Sequence, residues 1–329
     1  MSNPAREKVL FTSAGSLVVT AILDALDGRR EQLELQGVNS VPAIGTERRL
    51  DGFRLVPPLT SPGFAESLLS VVNLESPNLI VPGRDDDVVA LTDLVHQGIL
   101  DPALILAGSH ACAVILRDTG LCAGFAKSFG LPFVATLLTG TPHSVEDANR
   151  LVQETSGPWV IKPRRGQGSR DVLLTSSTSE LLTHAERPQH VIQPLLGDIP
   201  ETNTHASTVV LTSLGSRRDI DAQVVLGPDS EVLAVATFTS DMIDGKVVAV
   251  ERLHLAQAKA FAEAYAQALS AAGWRGPVNI QASTDRDGSI KAFEVNPRFG
   301  GGTWARRRAG FDEVGLVLRS FLRPDVVQS

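Results

Sequence analysis

The N-terminal third of the chain alternates short apolar runs with longer amphipathic ones, and that alternation restricts its opening to a parallel α/β arrangement. Val9-Leu10-Phe11-Thr12 has the length and composition of a buried strand. Ser13-Ala14-Gly15-Ser16 follows as a turn of small residues, and Leu17–Leu26 reads as a helix. Strand, tight turn and helix in that order open a parallel unit, because the helix must fold back over the sheet before the next strand begins. Further strands are expected at Leu33–Val38, Phe53–Val56, Leu79–Val81 and Leu104–Leu106, with helical stretches at Phe64–Val72 and Val88–Gly98. Residues 1–116 are thus expected to form a Rossmann-like, doubly wound α/β domain. Its first turn lacks Gly-x-Gly-x-x-Gly, which argues against a dinucleotide-dependent redox enzyme.

A different pattern follows. A helix is expected from Asp118, stopping at Gly130, and another near Val145–Glu154 with Ser144 as its cap and Asp147 three positions on. Strands at Trp159–Lys162, Val172–Leu174 and His190–Gln193 complete a small α+β unit over residues 117–192. Residues 197–218, rich in Thr, Ser and Gly, read as a long excursion with a strand at Thr208–Leu211. Strands at Ile220–Leu226 and Val232–Phe238, a helix at Ala256–Ala271, and strands at Val278–Ala282 and Ile290–Val295 give a third unit over 193–329.

Composition narrows the partners. The formal charge of −7 argues against a general nucleic-acid binder, since phosphate neutralisation needs a basic face. Every apolar stretch is broken before the roughly 18 residues that a membrane helix needs. The opening residues lack the apolar core of a secretory signal. Cys112 and Cys122 are not in a metal-binding spacing, and the seven histidines are scattered, which argues against a zinc site. The expectation is a reduced, cytoplasmic protein with no membrane and no nucleic-acid partner.

Two constellations carry chemistry. In Val160-Ile161-Lys162-Pro163-Arg164-Arg165-Gly166-Gln167-Gly168-Ser169-Arg170 a lysine ends a buried strand, so its ammonium must meet an anion in a cleft. The glycines after it allow backbone N–H groups to approach phosphate oxygens. In the second, Glu294 and Asn296 lie two apart on one strand and so share a face, and Gln281 on a neighbouring strand can stand beside them. Three oxygen donors with one formal charge suit Mg²⁺ that is also held by phosphates and water. Arg298, two residues further on, can reach a terminal phosphate or acyl phosphate. Gly300-Gly301-Gly302 would leave room for a ligand.

Together these blocks, with Gly276-Pro277-Val278-Asn279-Ile280-Gln281 and Phe293-Glu294-Val295-Asn296-Pro297-Arg298-Phe299-Gly300-Gly301, resemble the ATP-grasp superfamily, most closely its carbamoyl-phosphate-synthase-like branch. Arg117-Asp118 and Asp85-Asp86-Asp87 also fall where that branch has similar residues. The resemblance implies a Rossmann-like (pre-ATP-grasp) domain followed by a two-subdomain α+β ATP-grasp fold. It implies ATP and Mg²⁺ (or Mn²⁺) as cofactors, and an ATP-dependent ligase that activates a small-molecule carboxylate as an acyl phosphate for attack by an amine or ammonia. Lys162 and Arg298 would be catalytic. Arg117, Lys162, Gly166, Gln167, Gly168 and Ser169 would bind the phosphates, and Gln193, Leu195 and Leu196 the adenine. Gln281, Glu294 and Asn296 would hold the metal. The turn around Ser13–Ser16 would supply part of the acceptor pocket, and a homodimer through the N-terminal half is in keeping with the branch.

The chain departs from the pattern at four places. Pro194 stands where a hinge glutamate is common, and the ribose acid is Asp219 or Glu201, of which Asp219 better matches the following strand. Asp171 stands where glycine is frequent, and Thr237–Met242 lacks a Lys-Arg pair. Arg306, Arg307 and Arg308 leave two readings open: one of them compensates by binding an acidic substrate, or the triplet is a solvated surface charge run. Two alternatives stay open: phosphorylation of a carboxylate or carbamate without amide formation, and a nucleotide-binding regulatory module without turnover.

Overall fold

In the computed structural model, residues 6–155, 157–168, 170–197, 208–210, 217–243 and 246–322 are described. The N-terminal unit is a parallel sheet of β1 (Glu7–Phe11), β2 (Leu33–Asn39), β3 (Gly52–Leu55) and β4 (Leu79–Val81), in the order β3-β2-β1-β4. Helices α1 (Leu17–Ala25), α2 (Ile44–Glu47), α3 (Phe64–Glu75) and α4 (Asp85–His96) alternate with these strands. Ser16 caps α1 by accepting from the Val19 amide at 3.2 Å. The central strand β1 is buried on both sides, as parallel strands under helices must be. Leu10 joins one core and Val9 and Phe11 the other. Strand order reverses at β1, which opens a crevice at the carboxyl ends of β1 and β4.

The strand expected at Leu104–Leu106 is not formed. A 3₁₀ turn covers Pro102–Leu104, with Asp101 accepting from the Ala103 amide, and only Ile105 bridges to Ile80. Proline at the turn's first position favours the tight helical start over an extended strand. Two helices, rather than one, follow: α5 (His110–Arg117) and α6 (Thr119–Ser128). Asp118 divides them, with an extended backbone and a carboxylate that accepts from the amides of Gly120 and Leu121.

A second sheet takes the order β5-β8-β6-β7-β9, wholly antiparallel: β5 (Leu137–Leu138), β6 (Trp159–Pro163), β7 (Leu173–Thr175), β8 (His190–Pro194) and β9 (Thr208–Val210). With α7 (Ser144–Glu154) and α8 (Thr178–Ala185) it closes its own small core around Trp159, Ile161, Leu181 and Ile192. Ser144 lies inside α7 rather than capping it; its hydroxyl donates to the Thr141 carbonyl, and His143 is the flanking residue. The sheet's last strand falls beyond residue 192, inside the excursion read from the sequence.

The third sheet has the order β12-β11-β10-β13-β14, from β10 (Arg217–Leu226), β11 (Val232–Ile243), β12 (Lys246–Arg252), β13 (Gly276–Thr284) and β14 (Ile290–Asn296). Alternation sends Ala222, Val224, Val278 and Ile280 into the core beneath α9 (Ala256–Ala271), against Phe261 and Tyr265. Val225 and Phe238 point the other way, toward α11 (Glu313–Phe321) and the β1 side of the first sheet. Among the described residues no helix is long and apolar enough to cross a membrane.

The arginine triplet sits on α10 (Thr303–Arg308), and the structure gives all three other duties. Arg306 is 1% exposed and donates through Nε and Nη2 to Glu313 Oε1 at 3.1 and 2.8 Å. A Cβ at Gly300 or Gly302 would come within 3.1 Å of this guanidinium, so the space left by these glycines is taken by Arg306. Arg307 donates to the Ala25 carbonyl, and Arg308 lies over Trp304 at the surface.

Two predictions follow from this packing. Removing one partner of a buried pair leaves an uncompensated charge, so Glu313→Ala should lower stability by about 3–5 kcal/mol. Arg308→Ala should stay within about 0.5 kcal/mol, both read from urea denaturation. Burial pushes the Cys112 thiol up to about 12 and raises that of Cys122 as well. Iodoacetamide at pH 8 should therefore leave both thiols unmodified in the native protein and alkylate both in denaturant, as measured by mass spectrometry.

Candidate functional site

The face of the third sheet opposite α9 carries a polar patch set by strand register. Gln281 stands opposite Glu294 and Asn279 opposite Asn296, while β10 brings Asp221 beside Gln281 and Gln223 beside Asn279. Two rows result: Asp221, Gln281, Glu294 and then Gln223, Asn279, Asn296. The three residues expected to hold metal are thus brought together, and Asp221, Gln223 and Asn279 join them. Period-two spacing from Asp219 and from Gln281 was the sequence signal for these additional residues. The Asp221 carboxylate accepts from the Ser240 hydroxyl and from Asn279 Nδ2. Gln223 is fully enclosed, and neither of its amide atoms has a partner among the described residues. Asp219, 4% exposed, lies two residues before Asp221 on the same strand.

Lys162 reaches this patch from the second sheet. It ends a strand whose apolar residues anchor it in the small core, and its own side chain is drawn out toward β14. Nζ donates to the Phe293 carbonyl at 2.9 Å, lies 3.9 Å from Glu294 Oε2 and sits 5.4 Å above the Phe293 ring centre. Arg298 approaches from the loop after β14. Its Nη2 donates to Asp85 Oδ2 at 2.7 Å and to Asn296 Oδ1 at 3.1 Å, and its Nη1 to the Phe299 carbonyl at 2.9 Å.

The glycine loop is rooted on the α5–α6 junction. Arg117 donates to the carbonyls of Gly166 and Arg165 at 3.1 and 2.9 Å, and its Nε to Asp86 Oδ1 at 2.6 Å. Arg164 and Arg165 pair with the buried Asp118. Arg117 is therefore engaged by the loop backbone, while Gln167 and Gly168 are exposed. Ser169 and Glu201 lie outside the described residues. At the expected hinge, Gln193 is buried with Nε2 donating to Thr136 Oγ1 at 3.0 Å. The Leu195 amide donates to the Pro158 carbonyl, and Leu196 is buried.

The crevice at the reversal of the first sheet contains a cavity of about 200 Å³, lined by Thr12, Ser13, Asn39, Phe64, Arg84 and Asp86 among others. Asp87 organises its floor by accepting from the Thr12 and Ser13 hydroxyls at 2.8 and 2.9 Å and from the amides of Gly83 and Arg84. Burial raises its carboxyl above the usual range, against the pull of those hydrogen bonds. Ser13 adopts φ +44°, a left-handed backbone that non-glycine residues avoid and that binding turns often retain. Gly83 is required here, because a Cβ would lie 2.3 Å from the Thr12 carbonyl oxygen.

Among the described residues no group of three or more His, Cys, Asp and Glu side chains could hold a metal ion. The cleft instead offers two carboxylates, Glu294 and, beside Gln281, Asp221, with the amide oxygens of Gln281 and Asn296. That oxygen-only set fits Mg²⁺ bound jointly with phosphates, and does not fit a softer metal held by protein alone.

No family model and no curated protein matches this chain. Solved structures do. N5-carboxyaminoimidazole synthetase from Staphylococcus aureus matches at TM-score 0.70 and 11% identity, over 99% of this chain and 79% of that one. The biotin carboxylase domain of 2-oxoglutarate carboxylase from Hydrogenobacter thermophilus matches at TM-score 0.69 and 15% identity, over 98% and 71%. Biotin carboxylase from Campylobacter jejuni gives TM-score 0.70 and 13% identity, over 95% and 70%. A parallel α/β domain leads into two antiparallel sheets whose meeting sets Lys162 against Glu294, and the chain has the fold of these solved structures, a Rossmann-like domain followed by a two-subdomain ATP-grasp fold.

Proposed function

We propose that this protein is an ATP-dependent ligase that activates a small carboxylate as an acyl phosphate and passes it to an amine or ammonia, releasing ADP and phosphate. The observation that carries this reading is the approach of Lys162, from one sheet, to Glu294 on another, where register sets Glu294 beside Gln281 and Arg298 bonds to Asn296. The S. aureus synthetase is described in complex with ADP, and the H. thermophilus domain with MgADP and bicarbonate, which supports nucleotide chemistry at the equivalent cleft.

In this reading a carboxylate oxygen attacks the terminal phosphorus of ATP and the bond to the β-phosphate oxygen breaks, with ADP leaving. The amine nitrogen then attacks the acyl carbon, loses a proton, and phosphate departs with the bonding pair. Lys162 offsets charge on the phosphates, which is most of what a protein supplies in such transfers. Arg298 faces the transferred group. Gln281, Glu294 and Asn296 would hold magnesium, which when bound neutralises phosphate charge. Gly166, Gln167, Gly168 and Ser169 would cover the phosphates, excluding water from the acyl phosphate. Gln193, Leu195 and Leu196 would flank the adenine, Asp219 would meet the ribose, and Arg117 would hold the root of the loop. The cavity beside Ser13 and Arg84 would take the carboxylate.

Bicarbonate in the H. thermophilus structure favours one second reading, phosphorylation of a carboxylate or carbamate with no C–N bond formed.

The test is ADP release with Mg-ATP across a matrix of small carboxylic acids and amines. Release should depend on a particular acid, fall by about 10²-fold or more in Lys162→Ala, and stop when EDTA removes magnesium. Amide among the products supports ligation; acid-dependent ADP release with only a hydroxamate on adding hydroxylamine supports the second reading. No nucleotide turnover with any acid would end both.

A further inference from the structure

A guanidinium that is to receive a phosphoryl group needs donors free to face it, and Arg298 has few. Its charge is met by Asp85, from the first turn of α4 in the other domain, 213 residues away in sequence. The pair is buried, with side-chain exposures of 13% and 8%, yet it makes only one of its two available bonds. Arg298 Nε and Asp85 Oδ1 are both enclosed, with no hydrogen-bond partner among the described residues. A forked pair would satisfy both atoms, so this one is buried at the cost of two unmet polar groups. A half-made ion pair of this kind holds a side chain in place while leaving it ready to exchange for a better anion.

We propose that Asp85 is a positioning residue that holds Arg298 against Asn296, and that Arg298 exchanges Asp85 for the terminal phosphate of a bound nucleoside triphosphate. The inference rests on the nucleotide reading above and adds to it a competition: Asp85 and the terminal phosphate contend for one cation. A diphosphate lacks the terminal phosphate and leaves the pair intact. Asp85 therefore weakens triphosphate binding selectively, and keeps Arg298 neutralised until the terminal phosphate is present.

Calorimetric titration of the full chain with Mg-ADP and with the magnesium complex of a β,γ-imido ATP analogue tests this without turnover. Asp85→Asn keeps the side chain's shape and removes its charge. It should tighten the imido analogue about tenfold while changing Mg-ADP affinity less than about twofold. Asp85→Ser should behave likewise, which covers failure of the first variant to fold, and Asp85→Glu should show no gain. Adding Arg298→Gln to Asp85→Asn should abolish the gain, since the released cation is then gone. Unchanged or weaker analogue binding in both neutral variants, or an equal gain for Mg-ADP, overturns the proposal. If the wild type binds nucleotide through Lys162 but Asp85 variants do not alter it, only this inference fails; if the wild type binds neither nucleotide, the ATP reading fails as well.

Discussion

An ammonium enclosed in protein must be met by oxygen, and Lys162 meets oxygen by crossing from the second sheet to the third. Its hydrogen bond to the Phe293 carbonyl and its approach to Glu294 tie two separately cored layers at one point. Desolvation favours this contact, because an enclosed ammonium without an oxygen partner is costly. The cleft exists because the lysine ends a strand of one sheet and its partners end a strand of another. Arg298 repeats the arrangement on the opposite side, crossing to Asp85 in the first domain. Two cations, Lys162 and Arg298, thus bridge the three layers.

The polar patch between them shows how a sheet can carry two chemistries at once. On β10, Ala222 and Val224 pack beneath α9 while Asp221 and Gln223 face the cleft. A single strand thus closes the core with one set of residues and lines the site with the other. The enclosed Gln223, with no partner among the described residues, marks the depth at which this face passes from cleft to core.

How far the sequence revealed this depended on range. Glu294 and Asn296 announce themselves by period-two spacing, and Lys162 by standing at the end of an apolar strand before glycines. Asp221 and Gln223 have the same spacing, but they become part of the site only through pairing with β13, some 58 residues on, and no local pattern encodes that register. The helix expected from Asp118 does start there, with Asp118 as its cap, whereas α5 just before it escapes a local reading, and the pairing of Asp118 with Arg164 appears only in the fold. Leu104–Leu106 was read as a strand from its apolar run, while Pro102 and the Asp101 cap had already committed that stretch to a tight turn. The arginine triplet misled in the other direction, since a charge run on a short helix gave no sign that Glu313 would enclose Arg306.

The first turn of α4 presents three consecutive carboxylates, and each is answered by a different part of the molecule. Asp85 meets the loop after β14, Asp86 meets Arg117 and through it the glycine loop, and Asp87 meets the turn after β1. Successive helical residues point about a third of a turn apart, so one short segment serves as a hub with three spokes. The N-terminal domain is in this sense the reference frame of the site rather than an appendage to it. A graft that moved the two antiparallel sheets onto another α/β scaffold would carry Lys162, Gln281, Glu294, Asn296 and Arg298 and still lack the point from which their positions are measured.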